Sequence, residues 1–261
     1  MLDETRRTAI ADELEAARRD RVQVPLLTTR HPGMTVDDAY AIQGVWAQRR
    51  TAAGHRLVGR KIGLTSTVMQ VATGITEPDY GVIFDDMVYA SGDSIPFDAF
   101  TSVRVEVELA FVLARPLAGG GVTVDDVLAA TDYVVPALEI LSSRIELEGR
   151  TIVDTISDNA AMGAMVVGDT RTDPAGLDLP WVSAILRRNG NIEESGVAAA
   201  VLDHPAAGVA WLAGKLAQHG ASLAAGETIL AGSFTRPIWI ERGDEVLADY
   251  RELGTIACRF H

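Results

Sequence analysis

Two glutamates, Glu106 and Glu108, are separated by a single residue in a stretch whose composition predicts a β-strand. Residues 101–113 are rich in β-branched side chains, and polar and apolar positions alternate at their start. Because side chains alternate along a strand, both carboxylates point to one face, together with Arg104. From Leu109 onward the run is nearly all apolar, so the strand enters a core. A hard divalent cation such as Mg²⁺ would offset the repulsion and desolvation of two such carboxylates.

The alternative for this pair is a solvated sheet face, with Arg104 pairing with either carboxylate. A third acid favours the metal site. Residues 131–141 form a second strand-like apolar run, and Glu139 lies near its end within Ala-Leu-Glu-Ile-Leu. A lone glutamate in such a run is hard to explain as a surface residue. Three carboxylates on two neighbouring strands would form an oxygen-ligand site with vacancies.

The patterning of the chain changes near position 55. Before it, apolar residues at helical spacing predict two amphipathic helices, one over residues 3–21 and one from the N-cap Thr35 to Gly54. After it, short strands alternate with turns. The sequence therefore predicts an α+β fold in one integrated globular unit. It has a helical N-terminal segment at residues 1–55 and a mixed β body at residues 56–261.

Local signals place further elements in the β body. Residues 124–130 and 205–219 are typical of helices. Residues 181–190 predict an exposed edge strand that ends in an Asn-Gly turn. The last strands, near the C-terminus, include Cys258, which we expect to be a small buried residue.

Composition limits the classes of function. The chain has 261 residues, of which 48% are hydrophobic, enough for a large core. Its net charge is −13, which argues against a nucleic-acid surface because such a surface needs a basic stripe. A single cysteine excludes an intramolecular disulfide, and no apolar run approaches the length of a membrane helix. We therefore expect a cytoplasmic protein that contacts neither nucleic acid nor membrane.

Six motifs, taken together and in order, resemble the hydratase/decarboxylase family of the fumarylacetoacetate hydrolase superfamily. The motifs are GRKIGLTS at 59–66, EPDYG at 77–81, VEVELAFVL at 105–113, PALEI at 136–140, DTISDNA at 154–160 and GSFTRP at 232–237. The similarity covers nearly the whole chain. It implies a β body of the mixed β-roll or barrel type found in that superfamily.

The resemblance also implies a metal-dependent lyase of aromatic meta-cleavage catabolism. Such a hydratase adds water to a 2-hydroxy-2,4-dienoate or 2-oxo-4-enoate, here of the 2-oxo-hept-4-ene-1,7-dioate type, to give a 4-hydroxy-2-oxo acid. One departure keeps other activities open. The stretch 142–150 is short, and its residues 143–146 look more like those of 2-hydroxypenta-2,4-dienoate hydratases and 4-oxalocrotonate decarboxylases. A non-catalytic metal-binding partner subunit of a decarboxylase complex is an alternative of another class.

By this resemblance, Glu106, Glu108 and Glu139 are the ligands of Mg²⁺ or Mn²⁺. Lys61 is expected to contact a substrate carboxylate or to transfer a proton near the metal, whereas the residues alone favour a surface lysine. Asp79 is a candidate acid/base, and its alternative is an Asx-turn residue.

Hydroxyl side chains in the same motifs are candidates for binding the substrate. They are Ser157, Ser66, Ser233 and Thr235. Asp158 and Asn159 are expected to form a turn, and His204 to cap a helix rather than bind a metal. The resemblance further implies a small-molecule acid as substrate and a ring-like homo-oligomer, a pentamer or decamer. A complex with a pathway partner enzyme is a further expectation.

Overall fold

The computed structural model describes residues 1–66, 70 and 77–261 of the chain. Its first elements are helices, which confirms the two predicted amphipathic helices and adds a short one between them. They are α1 (Glu4–Asp20), α2 (Leu27–Arg30) and α3 (Val36–Ala52). Later in the chain come α4 (Val124–Ala130), α5 (Ile152–Ser157) and α6 (Pro205–Ala217).

Side chains cap these helices where backbone N–H groups have no helical partner. The carboxylate of Asp3 accepts a hydrogen bond from the N–H of Arg6 at the start of α1. Thr35 and Asp38 form a capping box at the start of α3, as the N-cap prediction required. The Nδ1 atom of His204 accepts from the N–H of Ala206 at the start of α6, so the predicted capping role of this histidine is confirmed.

The strands form two mixed sheets. In chain order they are β1 (Leu57–Gly63), β2 (Asp79–Phe84), β3 (Val88–Ala90), β4 (Ser94–Ile95), β5 (Arg104–Leu113), β6 (Thr131–Leu141), β7 (Met162–Val167), β8 (Ser183–Arg188), β9 (Asn191–Val197), β10 (Thr228–Ser233), β11 (Ile238–Trp239), β12 (Glu245–Asp249) and β13 (Thr255–Phe260).

The larger sheet has the order β2-β1-β10-β5-β6-β7-β3, with β11 beside the start of β5. The smaller sheet has the order β4-β13-β12-β8-β9. Within the described residues both orders are open paths. The predicted mixed β-roll is therefore confirmed as two open sheets, and neither closes into a barrel.

One hydrophobic core joins the helices to the sheets. Ile10 of α1, Ile42 of α3, Phe84 of β2, Phe111 of β5 and Leu212 of α6 are all buried in it. Cys258 is buried as predicted, and burial raises the pKa of its thiol to about 12. Among the described helices, none combines the length and apolar character needed to cross a membrane.

One expectation about local structure was wrong. The strand before the Asn-Gly turn, β8, is not at an edge, because Asn189 and Gly190 adopt positive φ and return the chain as β9. β9 is the edge strand. The chain turns at Asp158 and Asn159 as expected, directly after the helix α5, which starts at a capping box formed by Thr151 and Asp154.

Candidate active site

Three glutamates meet on one face of the larger sheet. Glu106 of β5 lies directly opposite Glu139 of β6, and Glu108 of β5 lies two residues further along the same face. Carboxylate oxygens of the three residues all lie within 4.8 Å of one another. Glu108 and Glu139 are buried, and Glu106 is partly buried. We call these three residues the glutamate cluster.

The cluster is only partly satisfied by hydrogen bonds. Oε2 of Glu108 accepts a hydrogen bond of 2.8 Å from the N–H of Gly232. Within the described residues, Oε1 of Glu108 and Oε1 of Glu139 are buried without a hydrogen-bond partner. Burial and the facing Glu139 raise the pKa of Glu106 to about 8, and burial raises the pKa of Glu108 as well.

Gly232 can donate to Glu108 because it lacks a side chain. Its φ is +123°, in the region that favours glycine, and a Cβ atom there would lie 2.3 Å from Oγ1 of Thr65. The motif that contains this glycine thus supplies a backbone donor to the cluster. The local sequence alone does not reveal this contact, because β10 reaches β5 only through long-range pairing.

Lys61 of β1 is buried and points to the same face. Its Nζ atom lies 3.2 Å from Oε1 of Glu139, as an ion pair whose geometry does not form a hydrogen bond. Burial lowers the pKa of Lys61, but the surrounding carboxylates, Glu139 first, raise it more. The surface-lysine alternative is therefore wrong.

Asp79 is the first residue of β2 and is buried beside Lys61. It lies opposite Gly63 of β1, where a Cβ atom would come 2.2 Å from Oδ1 of Asp79 and 3.1 Å from Nζ of Lys61. Both of its carboxylate oxygens are buried and have no hydrogen-bond partner in the described part of the chain. An Asx turn would use such an oxygen, so that alternative is wrong. Burial raises the pKa of Asp79.

The charges at this face do not balance. Four buried or partly buried carboxylates, the glutamate cluster and Asp79, outnumber the three cations that act on them, Lys61, Arg104 and Arg150. Unpartnered carboxylate oxygens in a low-dielectric site are costly. Hard oxygen donors with this excess of negative charge are the ligand set that Mg²⁺, Mn²⁺ or Ca²⁺ takes.

The predicted substrate-binding hydroxyls lie at different places. Ser233 is in register with Glu108, and its Oγ lies 2.8 Å from the carbonyl of Thr235. Oγ1 of Thr235 accepts a hydrogen bond from the N–H of Val107 on β5, between the two glutamates of that strand. These two hydroxyls therefore hold the loop after β10 against the glutamate strand.

The other two candidates lie in neighbouring segments. Ser66 follows Thr65, the residue that packs against Gly232, and is partly buried. Ser157 is buried in the last turn of α5, and its hydroxyl donates to the carbonyl of Val153 one turn earlier. Substrate binding by these four hydroxyl side chains stays a prediction.

The two residues after Ser157 have structural contacts. The Asp158 carboxylate forms a buried ion pair with Arg144 and also accepts from the Arg144 N–H at 2.8 Å. The side chain of Asn159 bridges the N–H and the carbonyl of Val82 on β2, at 2.8 and 2.9 Å. Both therefore fasten α5 to the rest of the fold.

Sequence reasoning missed one residue that supports the cluster. The hydroxyl of Tyr250, just after β12, lies 2.6 Å from the carbonyl of Glu108 and 2.9 Å from the carbonyl of Ala137. It thus ties the backbones of β5 and β6 together beside the glutamates. Its position after a strand of the other sheet gave no local signal.

A second acidic group serves as a contrast. His55, Asp85 and Asp86 also bring possible ligand atoms within 4.8 Å of one another. Here, however, Arg56 contacts Asp85 at 3.1 Å and Arg50 contacts Asp86 at 2.5 Å. These acids already have cationic partners, so they do not form a candidate metal centre.

Comparison with known proteins agrees with the fold and the motifs. Residues 60–261 match the family model described as fumarylacetoacetate (FAA) hydrolase C-terminal. The chain is 50% identical to 2-oxo-hept-4-ene-1,7-dioate hydratase of Escherichia coli, over 100% of both chains. It is 42% identical to 2-keto-4-pentenoate hydratase of Paraburkholderia xenovorans strain LB400, over 100% of this chain and 96% of the relative.

A solved structure shares the whole architecture. The 4-oxalocrotonate decarboxylase from Pseudomonas putida G7, complexed with magnesium and adipate, superposes with a TM-score of 0.97. The two sequences are 32% identical, and the match covers 100% of this chain and 99% of that one. The chain therefore belongs to the fumarylacetoacetate hydrolase family, in its hydratase and decarboxylase branch.

Proposed function

We propose that this protein is a hydratase that adds water to a 2-hydroxy-2,4-dienoate or its 2-oxo-4-enoate tautomer, yielding a 4-hydroxy-2-oxo acid. The observation that carries the proposal is the convergence of Glu106, Glu108 and Glu139 with unpartnered buried oxygens beside Lys61 and Asp79. The similarity to named hydratases over the full chain supplies the reaction class.

The proposal includes a divalent metal ion, Mg²⁺ or Mn²⁺, held by the glutamate cluster. The donor set fits such an ion, because it consists of carboxylate oxygens that are buried, close together and short of positive partners. A similar protein of known structure is complexed with magnesium. When bound, the ion supplies a Lewis acid for the 2-oxygen of the substrate.

The chain's own residues then position the substrate and move protons. The ammonium of Lys61 attracts the 1-carboxylate of the substrate, and it also contacts Glu139 at 3.2 Å. Asp79 is buried, and burial raises the pKa of its carboxyl group, so this group is our candidate for accepting and delivering protons.

The order of bond changes follows from the conjugation of the substrate. Protonation of the dienol at C5 moves the double bond to C3–C4, in conjugation with the 2-oxo group. Water then forms a bond from its oxygen to C4, loses one proton, and C3 gains a proton. Asp79 is the group that carries protons in this scheme, and no covalent intermediate with the protein is required.

The test is turnover by the purified chain alone. With Mg²⁺ present, 2-hydroxydienoates with and without a 7-carboxylate should lose their dienol absorbance and gain one water in product mass. Release of CO₂ without addition of water would identify a decarboxylase instead. Activity that appears only after a second pathway enzyme is added would favour the partner-subunit alternative.

A further inference from the structure

Arg104 lies at the start of β5, on the face of the strand that carries Glu106 and Glu108. It is the first residue of the strand, and it shares a face with Glu106 and Glu108 because the three are spaced by two. Its register partners are Leu141 of β6 and Trp239 of β11. Arg104 therefore lies beyond the glutamate cluster, on the side where Trp239 is 55% exposed to solvent.

The guanidinium group of Arg104 is held but not paired. It lies over the ring of Trp239, 5.3 Å from the ring centroid. Its Nε and Nη2 atoms are buried and have no hydrogen-bond partner among the described residues. The alternative that Arg104 pairs with a neighbouring glutamate is therefore wrong.

These two nitrogens form one side of the planar guanidinium fork. That side matches the two oxygens of a carboxylate and forms two parallel charge-assisted hydrogen bonds with it. Leaving such buried donors without an acceptor is costly, so an acceptor supplied by a ligand would be bound with a corresponding gain. Glu106 on the same face could have supplied this acceptor, but the two nitrogens of Arg104 form no hydrogen bond with it.

We propose that Arg104 binds the distal carboxylate of a 2-oxo dicarboxylic acid whose 2-oxo end lies at the glutamate cluster. This inference rests on the proposed function and deepens it, because it assigns the protein to dicarboxylic rather than monocarboxylic substrates.

The spacing suits a seven-carbon chain. Residues two apart on a strand are separated by roughly 6.6 Å, so Arg104 begins about that far from Glu106. Six C–C bonds of about 1.5 Å in an extended chain separate the two terminal carboxyl carbons by roughly 7.5 Å. A five-carbon monocarboxylic acid would end short of Arg104 and would carry no acceptor for it.

The other cations near the cluster are less suited to this role. Lys61 already contacts Glu139. Arg150 donates from Nη1 to the hydroxyl of Ser143 at 2.9 Å, and its charge acts on Asp79 and Asp158. Among the described residues around the cluster, Arg104 is the arginine with two buried nitrogens left for a ligand.

The experiment compares two probes that the hydratase reaction cannot consume. 2-Oxoheptanedioate and 2-oxoheptanoate have the same 2-oxo head and chain length, and they differ only in the distal carboxylate. Binding of each to the Mg²⁺-loaded protein is measured by calorimetry. The wild-type protein should bind the dioate about 10- to 100-fold more tightly, the range expected for charge-assisted hydrogen bonds.

Variants locate the source of that preference. Arg104→Gln should remove it and leave the affinity for the monocarboxylate within about twofold. Arg104→Lys keeps the charge but loses the fork, so it should retain part of the preference and also serves if the glutamine variant folds poorly. Arg259→Gln, which removes an exposed arginine at the end of β13, should change neither affinity.

Three results would overturn the inference. Equal binding of the two probes to the wild-type protein, or an unchanged preference in both Arg104 variants, excludes Arg104 as the anchor while leaving the hydratase proposal intact. Failure of the wild-type protein to bind either probe contradicts the proposed 2-oxo acid function itself, and this inference fails with it.

Discussion

Buried carboxylates in two regions of the protein differ in how many hydrogen bonds they accept. In the helical region, Asp38 of α3 accepts hydrogen bonds from Arg7, from the N–H of Leu2, and from the N–H and hydroxyl of Thr35, at 2.8 to 3.1 Å. On the sheet, Glu108 accepts one hydrogen bond and Asp79 accepts none among the described residues.

The pKa values follow this difference. Burial alone would raise the pKa of Asp38, but Arg7 and the other donors hold it well below its ordinary value. For Asp79, burial raises the pKa and the charge of Lys61 does not offset it. A satisfied buried acid stabilises the folded state, whereas the sheet acids reduce its stability until a ligand compensates them.

The largest effect should come from Glu108→Gln. The substitution removes one negative oxygen donor but keeps an acceptor for the N–H of Gly232. We expect hydratase activity to fall roughly a thousandfold or more, because Lewis-acid stabilisation is worth several kcal/mol. Steady-state assays at saturating Mg²⁺ measure this loss.

The same variant should not lose stability. In metal-free buffer its unfolding temperature should equal or exceed that of the wild-type protein, since one of several repelling carboxylates is gone. Glu245→Gln, at an exposed position on β12, is the matched control for both measurements. Full activity in Glu108→Gln would show that this carboxylate is no metal ligand.

The next largest effect should be on folding, at a buried acid outside the glutamate cluster. Arg144→Met leaves the Asp158 carboxylate buried without its cationic partner. Breaking a buried ion pair in this way costs about 3–5 kcal/mol of unfolding free energy. Denaturant titration measures the loss, and Arg6→Met at an exposed position of α1 is the control. An equal loss in both variants would mean that the pair contributes nothing specific.

Much of the site could be predicted because strand alternation is a local property. The spacing of Glu106 and Glu108 fixed their common face, and the apolar neighbours of Glu139 marked it as buried. The direct pairing of Glu106 with Glu139 could not be read from either strand alone, since it depends on the register between β5 and β6.

What could not be predicted depends on long-range pairing. Tyr250 and the donor at Gly232 reach the cluster from other strands, and neither has a local signal for it. Asp79 looked like a turn residue because it follows a proline, but pairing with β1 makes it the start of a strand. The lack of a partner for Arg104 is also visible only in three dimensions.

Metal binding should compensate the buried carboxylates of the sheet and so stabilise the folded protein by a moderate amount. At Mg²⁺ concentrations about 100 times the dissociation constant, the wild-type protein should gain about 2.7 kcal/mol of unfolding free energy. Denaturant titration with Mg²⁺ and with a chelator measures the gain. Glu108→Gln should show most of it lost. An equal gain in that variant would place the ion elsewhere.

The smallest expected effect concerns the satisfied acid. Asp38→Asn should cost about 1–2 kcal/mol near pH 7, because a capping carboxylate with a charged partner is replaced by an amide. The pKa of Asp38 is lower in the folded than in the unfolded state, so the folded protein binds fewer protons at acidic pH. Its contribution is complete above about pH 4 and is lost as the pH falls further. The difference in unfolding free energy between wild type and variant should therefore become smaller as the pH falls below about 4.

Asp37→Asn is the matched control, since it makes the same chemical change at the exposed neighbouring position of α3. It should alter the unfolding free energy by only a few tenths of a kcal/mol through the helix dipole. If Asp38→Asn remained equally destabilising at acidic pH, its cost would arise from packing rather than from charge. The hydrogen bonds of Asp38 would then no longer explain why the helical region tolerates a buried acid that the sheet leaves uncompensated.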